Sequence, residues 1–150
     1  MNKSGLLFLV TLLFAFPLYA GSDFITKKSS NNVAVTMDRL ENALKQKGVG
    51  IVARVDHAAA AQKADLTLRP TQVLIFGNPK LGTPLMHTNQ RIGLDLPLKV
   101  LAWEDEKGQT WLTYEKPDEM AERHKVKEPA EIIKKMTGVL DAVTNEAAAK

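Results

Sequence analysis

Three arrangements in this sequence could carry chemistry. The first is acid–base. Asp56-His57 stands where an apolar alternating run passes into an alanine-rich one, and Asp95 and Glu104 lie among apolar neighbours. An imidazole within reach of a carboxylate can take up and return a proton. The plainer role for Asp56 is to cap the alanine-rich helix. Asp95, in "GLDLP", must either bond to loop amides, the commoner case, or belong to a pocket.

The second arrangement is "LIFGNPKLGTP", a strand-like run followed by glycines five apart and then a hydroxyl residue. A phosphate loop needs Lys and then Ser or Thr directly after its second glycine. Here Thr83 follows Gly82 at once, Lys80 lies inside the loop, and Pro79 deletes an amide of the cradle. The stretch therefore reads as a strand, a turn at Gly77-Asn78-Pro79, and a helix start with Thr83 as cap and Pro84 as first residue. A small anion on the amides of that helix start remains compatible with it.

The third is metal binding. The three histidines are His57, His87 and His124, with Met86 beside His87 and Met120 one helical turn before His124. Imidazole with thioether suits copper, and imidazole alone suits zinc. No short His-x-His or His-x3-His pair occurs and cysteine is absent, so the scattered histidines read first as helix caps or surface residues. There is no Gly-x-Ser-x-Gly for a serine nucleophile.

The elements that must position these residues follow from periodicity. A short strand runs from Phe24 to Thr26 and extends toward Lys28. Val33, Met37, Leu40 and Leu44 form one stripe of an amphipathic helix, entered through "SNN" and ended by Gly48. "GIVARVD" alternates as a strand, "HAAAAQKA" is a short helix, and Gln72–Phe76 is a strand apolar on both sides. "LPLKVLAWEDEKGQTWLTYE" is a hairpin. With Lys107-Gly108 as its two-residue turn, Trp103 faces Leu112, Leu101 faces Tyr114, and Glu104 lies beside Trp111. A last helix from Pro129 carries Ile132, Ile133, Met136, Val139, Leu140 and Val143, and frays into "NEAAAK". The order is strand, helix, four strands, helix. It predicts an α+β two-layer sandwich with a mostly antiparallel sheet of four to five strands and helices on one face. The other face then needs cover from a dimer partner or a ligand.

Residues 1–20 read as a cleaved signal peptide: Lys3, an apolar core from Leu6 to Phe16, then Pro17 and a small residue at Ala20. The segment is shorter than the ~20 apolar residues of a membrane span. Residues 21–150 then form one domain of a size that needs no staples. Without Lys3, 19 basic and 17 acidic residues remain, a formal charge of +2, and they are interspersed. Nothing resembles a nucleic-acid-binding stripe. A leader without cysteines is compatible with a bacterial periplasm, and with no membrane span once the leader is removed.

Asp56-His57, Arg69-Pro70, Phe76-Gly77-Asn78-Pro79, Gly82-Thr83-Pro84, Asp95-Leu96-Pro97, Trp103-Glu104 and Tyr114 form a signature that resembles the bacterial domain-of-unknown-function family numbered 302, from about Phe24 to His124. The resemblance implies an α+β fold of TATA-box-binding-protein-like topology without its DNA function, and a homodimer. It supplies no activity. Polar signature residues in loops are the better functional pointers, so His57, Asn78, Asp95 and Glu104 are the candidate ligand-binding residues. The expected function is an exported, non-enzymatic, stress-related binding or accessory protein of the periplasm, dimeric, without cofactor, acting on a small ligand or protein partner. The alternative is a small hydrolase or isomerase using His57 with Asp95 or Glu104. A third is copper or zinc binding through His57, His87 and His124.

Overall fold

Asn32 answers the need for a helix cap. Its side-chain oxygen accepts from Val35 N at 2.9 Å, and helix α1 follows over Val33–Gln46. The predicted stripe is its buried face: Val33, Met37, Leu40 and Leu44 are all inside, with Ala43 between them. Gly48, at φ +69°, turns the chain out of the helix. In this computed structural model, which describes residues 22–150, α1 is one of two long helices laid on a five-stranded antiparallel sheet. The leader expected over 1–20 lies outside the described residues.

The strands are β1 (Phe24–Lys28), β2 (Gly50–Asp56), β3 (Thr71–Gly77), β4 (Leu98–Glu104) and β5 (Thr110–Glu115), in the spatial order β1-β5-β4-β3-β2. Every neighbouring pair is antiparallel, so the α+β sandwich with helices against one face is what forms. Shorter helices sit between and after the strands: α2 (His57–Lys63), α3 (Pro79–Thr88), a 3-10 turn (Gln90–Leu94) and α4 (Pro117–Arg123). The second long helix, α5, covers Ala130–Ala148.

Two apolar clusters hold the layers together. The larger lies between α1, α5 and the inner sheet face and includes Met37, Leu40, Leu74, Phe76, Val100, Leu112 and Leu140. The smaller gathers Leu85, Ile92, Met120, Val126, Ile133 and Met136 under α3, the 3-10 turn and α4. Leu98 packs against both.

Two buttons of charge fix the long helices to the sheet. Lys27, on the inner face of β1, donates to Asp141 Oδ1 at 2.7 Å, Thr144 Oγ1 at 2.9 Å and Asn145 Oδ1 at 2.7 Å on α5. Arg54, on the inner face of β2, donates to Asp38 Oδ1 of α1 at 2.6 Å and to Gln72 Oε1 of β3 at 2.9 Å. An alternation that looked half-polar from sequence is therefore an inner face whose edge positions are charged and paired.

Three local expectations need correction. The β4–β5 hairpin pairs Trp103 with Trp111 and Glu104 with Thr110, one step away from the predicted register. Asp105 is the reason: its Oδ1 accepts from Lys107 N and Gln109 N, both at 2.9 Å, and Gly108 takes φ +73°. The connection is thus a longer loop with a left-handed glycine, not a two-residue turn. Trp103 and Trp111 then share one face, ring centroids 6.4 Å apart, and Glu104 points to the other. Second, α3 begins at Pro79, capped by Asn78 Oδ1 accepting from Lys80 N at 2.9 Å. Thr83 caps nothing, and Pro84 lies inside the helix. Third, the end of α5 does not fray: Ala147 is buried, and Ala149 O accepts from Asn31 Nδ2 and Arg39 Nη1, each at 2.7 Å.

Candidate functional site

The antiparallel order decides which polar residues can meet. β2 and β4 flank β3, so they run the same way. His57 follows the end of β2, whereas Asp95 precedes the start of β4. Four residues of strand, roughly 13 Å, already separate those two ends of the sheet. The structure does not bring His57 to Asp95.

At the His57 end, Asp56 caps α2, its Oδ1 accepting from Ala59 N at 2.8 Å, and its Oδ2 accepts from Gln72 Nε2 at 2.9 Å. Glu104 shares this end and, with Asp56, borders an open cleft of about 690 Å³ between α1 and α2. His57 is exposed and does not line that cleft. Glu104 is held through its backbone, its amide donating to Pro70 O at 3.0 Å and its carbonyl accepting from Arg69 Nε at 3.1 Å.

At the opposite end Asp95 meets a histidine that the sequence suggested only as a metal ligand. His124 Nε2 lies 2.5 Å from Asp95 Oδ2, and Arg123 Nη1 donates to the same oxygen at 3.1 Å. Arg123 also pairs with Glu115 on β5. Asn89 Nδ2 donates to His124 O at 2.7 Å, tying the start of the 3-10 turn to the end of α4. Burial pushes the Asp95 carboxyl up, but the His124 hydrogen bond and the Arg123 charge outweigh it and hold the group below the usual carboxylate range. The Arg123 guanidinium is held charged by Glu115 and Asp95. Its three carboxylate contacts, to Asp95, Glu115 and, at 3.9 Å, Asp23, all lie within the chain, so it is a strut between β5, α4, the 3-10 turn and the residue before β1. Of the three histidines, His124 is the one whose ring meets a carboxylate. The clue to it in sequence was weak, since 29 residues separate the partners.

The histidines do not converge. His57 opens α2, His87 lies in the last turn of α3, and His124 ends α4. Among the described residues, no three His, Asp or Glu side chains gather as a metal shell.

The "FGNPKLG" stretch does form part of a cavity. Between the two apolar clusters, below α3 and beside α5, lies a cleft of about 340 Å³ bordered by Phe76, Gly77, Asn78, Gly82, Met86 and Leu98, among others. Volumes of this order and apolar walls are usual for small-molecule sites. Gly77 cannot be larger without moving its neighbour: a Cβ there would lie 3.2 Å from Pro97 Cβ. Asn78 therefore serves the cleft by starting α3, with its side-chain oxygen committed to the cap.

The outer face of the sheet is the other open surface. Trp103, Trp111, Leu101, Val73, Ile75 and Val55 share it, with Phe24 at its β1 corner. Thr113 Oγ1 accepts from Trp103 Nε1 at 3.0 Å, and Asp105 Oδ2 accepts from Trp111 Nε1 at 2.8 Å, which fixes both indoles. The two long helices lie on the other side of the sheet.

Comparison with known proteins agrees with this architecture. A crystal structure of an uncharacterized conserved DUF302 protein from Bacillus stearothermophilus superposes with a TM-score of 0.75 at 25% identity, covering 85% of this chain and 99% of that one. Among curated proteins, "Fluoride-specific ion channel FluC 1" of Brucella suis biovar 1 (strain 1330) is 43% identical over 128 residues, which is 85% of this chain and 50% of that protein. Its namesake from Brucella abortus biovar 1 (strain 9-941) is likewise 43% identical over 128 residues, 47% of its own length. This chain thus spans about half the length of these curated relatives. No helix of the described residues is long and apolar enough to cross a membrane. The model of the domain of unknown function DUF302 matches residues 25–143, and the chain belongs to that family.

Proposed function

We propose that the protein is an exported, non-enzymatic accessory module that acts as a homodimer, joined through the outer face of its sheet, on a small ligand or protein partner outside the cytoplasm. The observation that carries this reading is the outer face itself: two fixed indoles among aliphatic side chains, on the side of the sheet away from both long helices. Monomers rarely leave contiguous apolar patches of this kind free. A second copy is the fitting occupant, because a sheet face with an apolar middle and charged residues of both signs around it, Lys28, Lys99 and Glu115, can pair with itself about a two-fold axis. The charged n-region and apolar core of residues 1–20 support export.

The Brucella relatives support the accessory part. Proteins named for a fluoride channel carry a stretch similar to this chain over about half their length. That shared half has no membrane-crossing helix here, so it fits a role beside a channel better than in its pore. Of the alternative, a hydrolase or isomerase using His57 with Asp95 or Glu104, the Asp95 arm loses its geometry, since His57 and Asp95 lie at opposite ends of the sheet. Glu104 shares the His57 end but borders a cleft that His57 does not line.

Sedimentation equilibrium of the purified protein tests the dimer. The expected result is a dimer that becomes monomeric in Trp103→Glu and in Trp111→Glu, with helical content kept in both. A wild type that stays monomeric at every concentration would refute the reading.

A further inference from the structure

The cleft between the two apolar clusters has a one-sided electrostatic character. Its walls are Phe76, Met86, Leu96, Leu98, Met136 and Val139, with further small and apolar residues. The charged residues that border it are Lys47, at the end of α1, and Lys135, on α5. No carboxylate lines it among the described residues, and neither lysine makes an ion pair there. In a chain whose acidic and basic residues are otherwise interspersed, an apolar cavity bordered by cations alone selects for a ligand with an apolar body and an anionic end.

The wall is also built to admit such a body. Gly82 and Gly93 leave bare backbone on either side of Met86, whose Cε and Sδ are their near neighbours. A Cβ on Gly82 would meet Leu96 Cδ1 at 3.6 Å and Met86 Cε at 3.8 Å, ordinary contact distances, so a methyl there is accommodated and a longer side chain adds bulk at the cleft wall. Methionine is the side chain best able to reshape itself around a flexible chain.

We propose that this cleft binds a single-tailed carboxylate, the tail lying against Phe76, Met86 and Leu98 and the head meeting Lys47 and Lys135. Taking a methylene as about the size of a water molecule, ~30 Å³, the cavity of about 340 Å³ accommodates a tail of roughly ten carbons. A medium-chain fatty acid is the class that fits.

Isothermal titration of the purified protein with decanoate, octanoate, decanol and decyltrimethylammonium, each below its micellar concentration, tests this. Decanoate should bind saturably, one per chain. Each methylene removed should weaken binding roughly threefold to fourfold, so octanoate should be about tenfold weaker. Decanol should bind less tightly than decanoate, and the ammonium least of all. Gly82→Leu, which adds a good helix former on a cleft wall, should abolish decanoate binding without lowering the melting temperature. Lys47→Glu with Lys135→Glu should weaken decanoate roughly tenfold while leaving decanol unchanged. No saturable binding, equal affinity for decanoate and the ammonium, or full binding by both variants would each overturn the proposal. Because Trp103 and Trp111 lie on the other face of the sheet, the oligomeric state of these variants should not change.

Discussion

Asp95 and His124 close a contact of 2.5 Å across 29 residues of chain, and Arg123 makes a second bond to the same carboxylate oxygen. The pair binds the end of the 3-10 turn to the end of α4 beside the smaller apolar cluster. His124 is almost wholly buried and Asp95 half-buried, so removal of the imidazole leaves the carboxylate with Arg123 as its remaining partner. Asp95→Asn and His124→Ala should each lower unfolding free energy by about 1.5–3 kcal/mol, as for hydrogen bonds to charged groups. Urea unfolding checks this.

The same carboxylate makes a prediction about pH. Its folded pKa lies below the ordinary value of ~3.9 expected in the unfolded chain. The unfolded state therefore takes up its proton first as pH falls. The stability contributed by Asp95 is full above about pH 4 and is lost as pH drops through the lower folded value. In urea titrations from pH 6 to pH 2.5, the gap between wild type and Asp95→Asn should be constant down to about pH 4 and then narrow. A gap that widens on acidification would contradict the assignment.

Element order, the stripes of α1 and α5 and the hairpin's existence were legible because each is a periodic property of adjacent residues. The remaining features depend on contacts that periodicity does not carry. Asp105 selects the hairpin loop through two backbone amides, and this moved Trp103 from Leu112 to Trp111. Asn78 outcompeted Thr83 as the cap of α3, since a turn residue before proline is also a good N-cap. The short α4 has too few turns to show a stripe, so the position of His124 at its end was not visible. Asp95 stands in apolar company in the sequence, but its carboxylate bonds to His124 and Arg123 across the fold and not to loop amides. The outer sheet face was legible only as a need for cover.

Lys27 is expected to matter more than its place on an edge strand suggests. It is bonded to three side chains of α5, and its ammonium lies 5.6 Å from the centre of the Tyr114 ring. Lys27→Met keeps the aliphatic stem but leaves Thr144 and Asn145 short of a donor. The loss should be about 1–3 kcal/mol, and amide hydrogen exchange should show the C-terminal half of α5 opening more readily. Asp141 is mostly exposed and held ionised by Lys27, so Asp141→Asn should cost less than Lys27→Met.

Gly77 stands opposite Gly50 in the β2–β3 pair and directly against Pro97. A methyl at Gly77 would approach Pro97 Cβ to 3.2 Å, closer than packed carbons normally come, and proline's ring cannot rotate away. Gly77→Ala should destabilise by about 1–3 kcal/mol, the usual range for overpacking. Gly82→Ala, with ordinary contact distances in a helix, should be neutral or stabilising. Thermal melts of the two single variants side by side distinguish these. Equal effects would mean that the Pro97 contact is not what fixes glycine at position 77.

The hairpin loop offers a last check on register. Gly108 adopts φ +73°, and a Cβ there would meet nothing within 4 Å, so any cost of substitution is conformational rather than steric. Gly108→Val should lose about 1–2 kcal/mol, the penalty of a left-handed backbone for a residue with a Cβ. Gly108→Asn should lose less, because asparagine visits that region more readily. Denaturant midpoints for the three proteins should rank glycine, asparagine, valine. If valine and asparagine were equally tolerated, the loop would have to rearrange so that position 108 leaves the left-handed region, carrying Trp103 out of register with Trp111. Loss of the paired indole signal in near-ultraviolet circular dichroism would then accompany the change, and its retention would leave the left-handed glycine without a role.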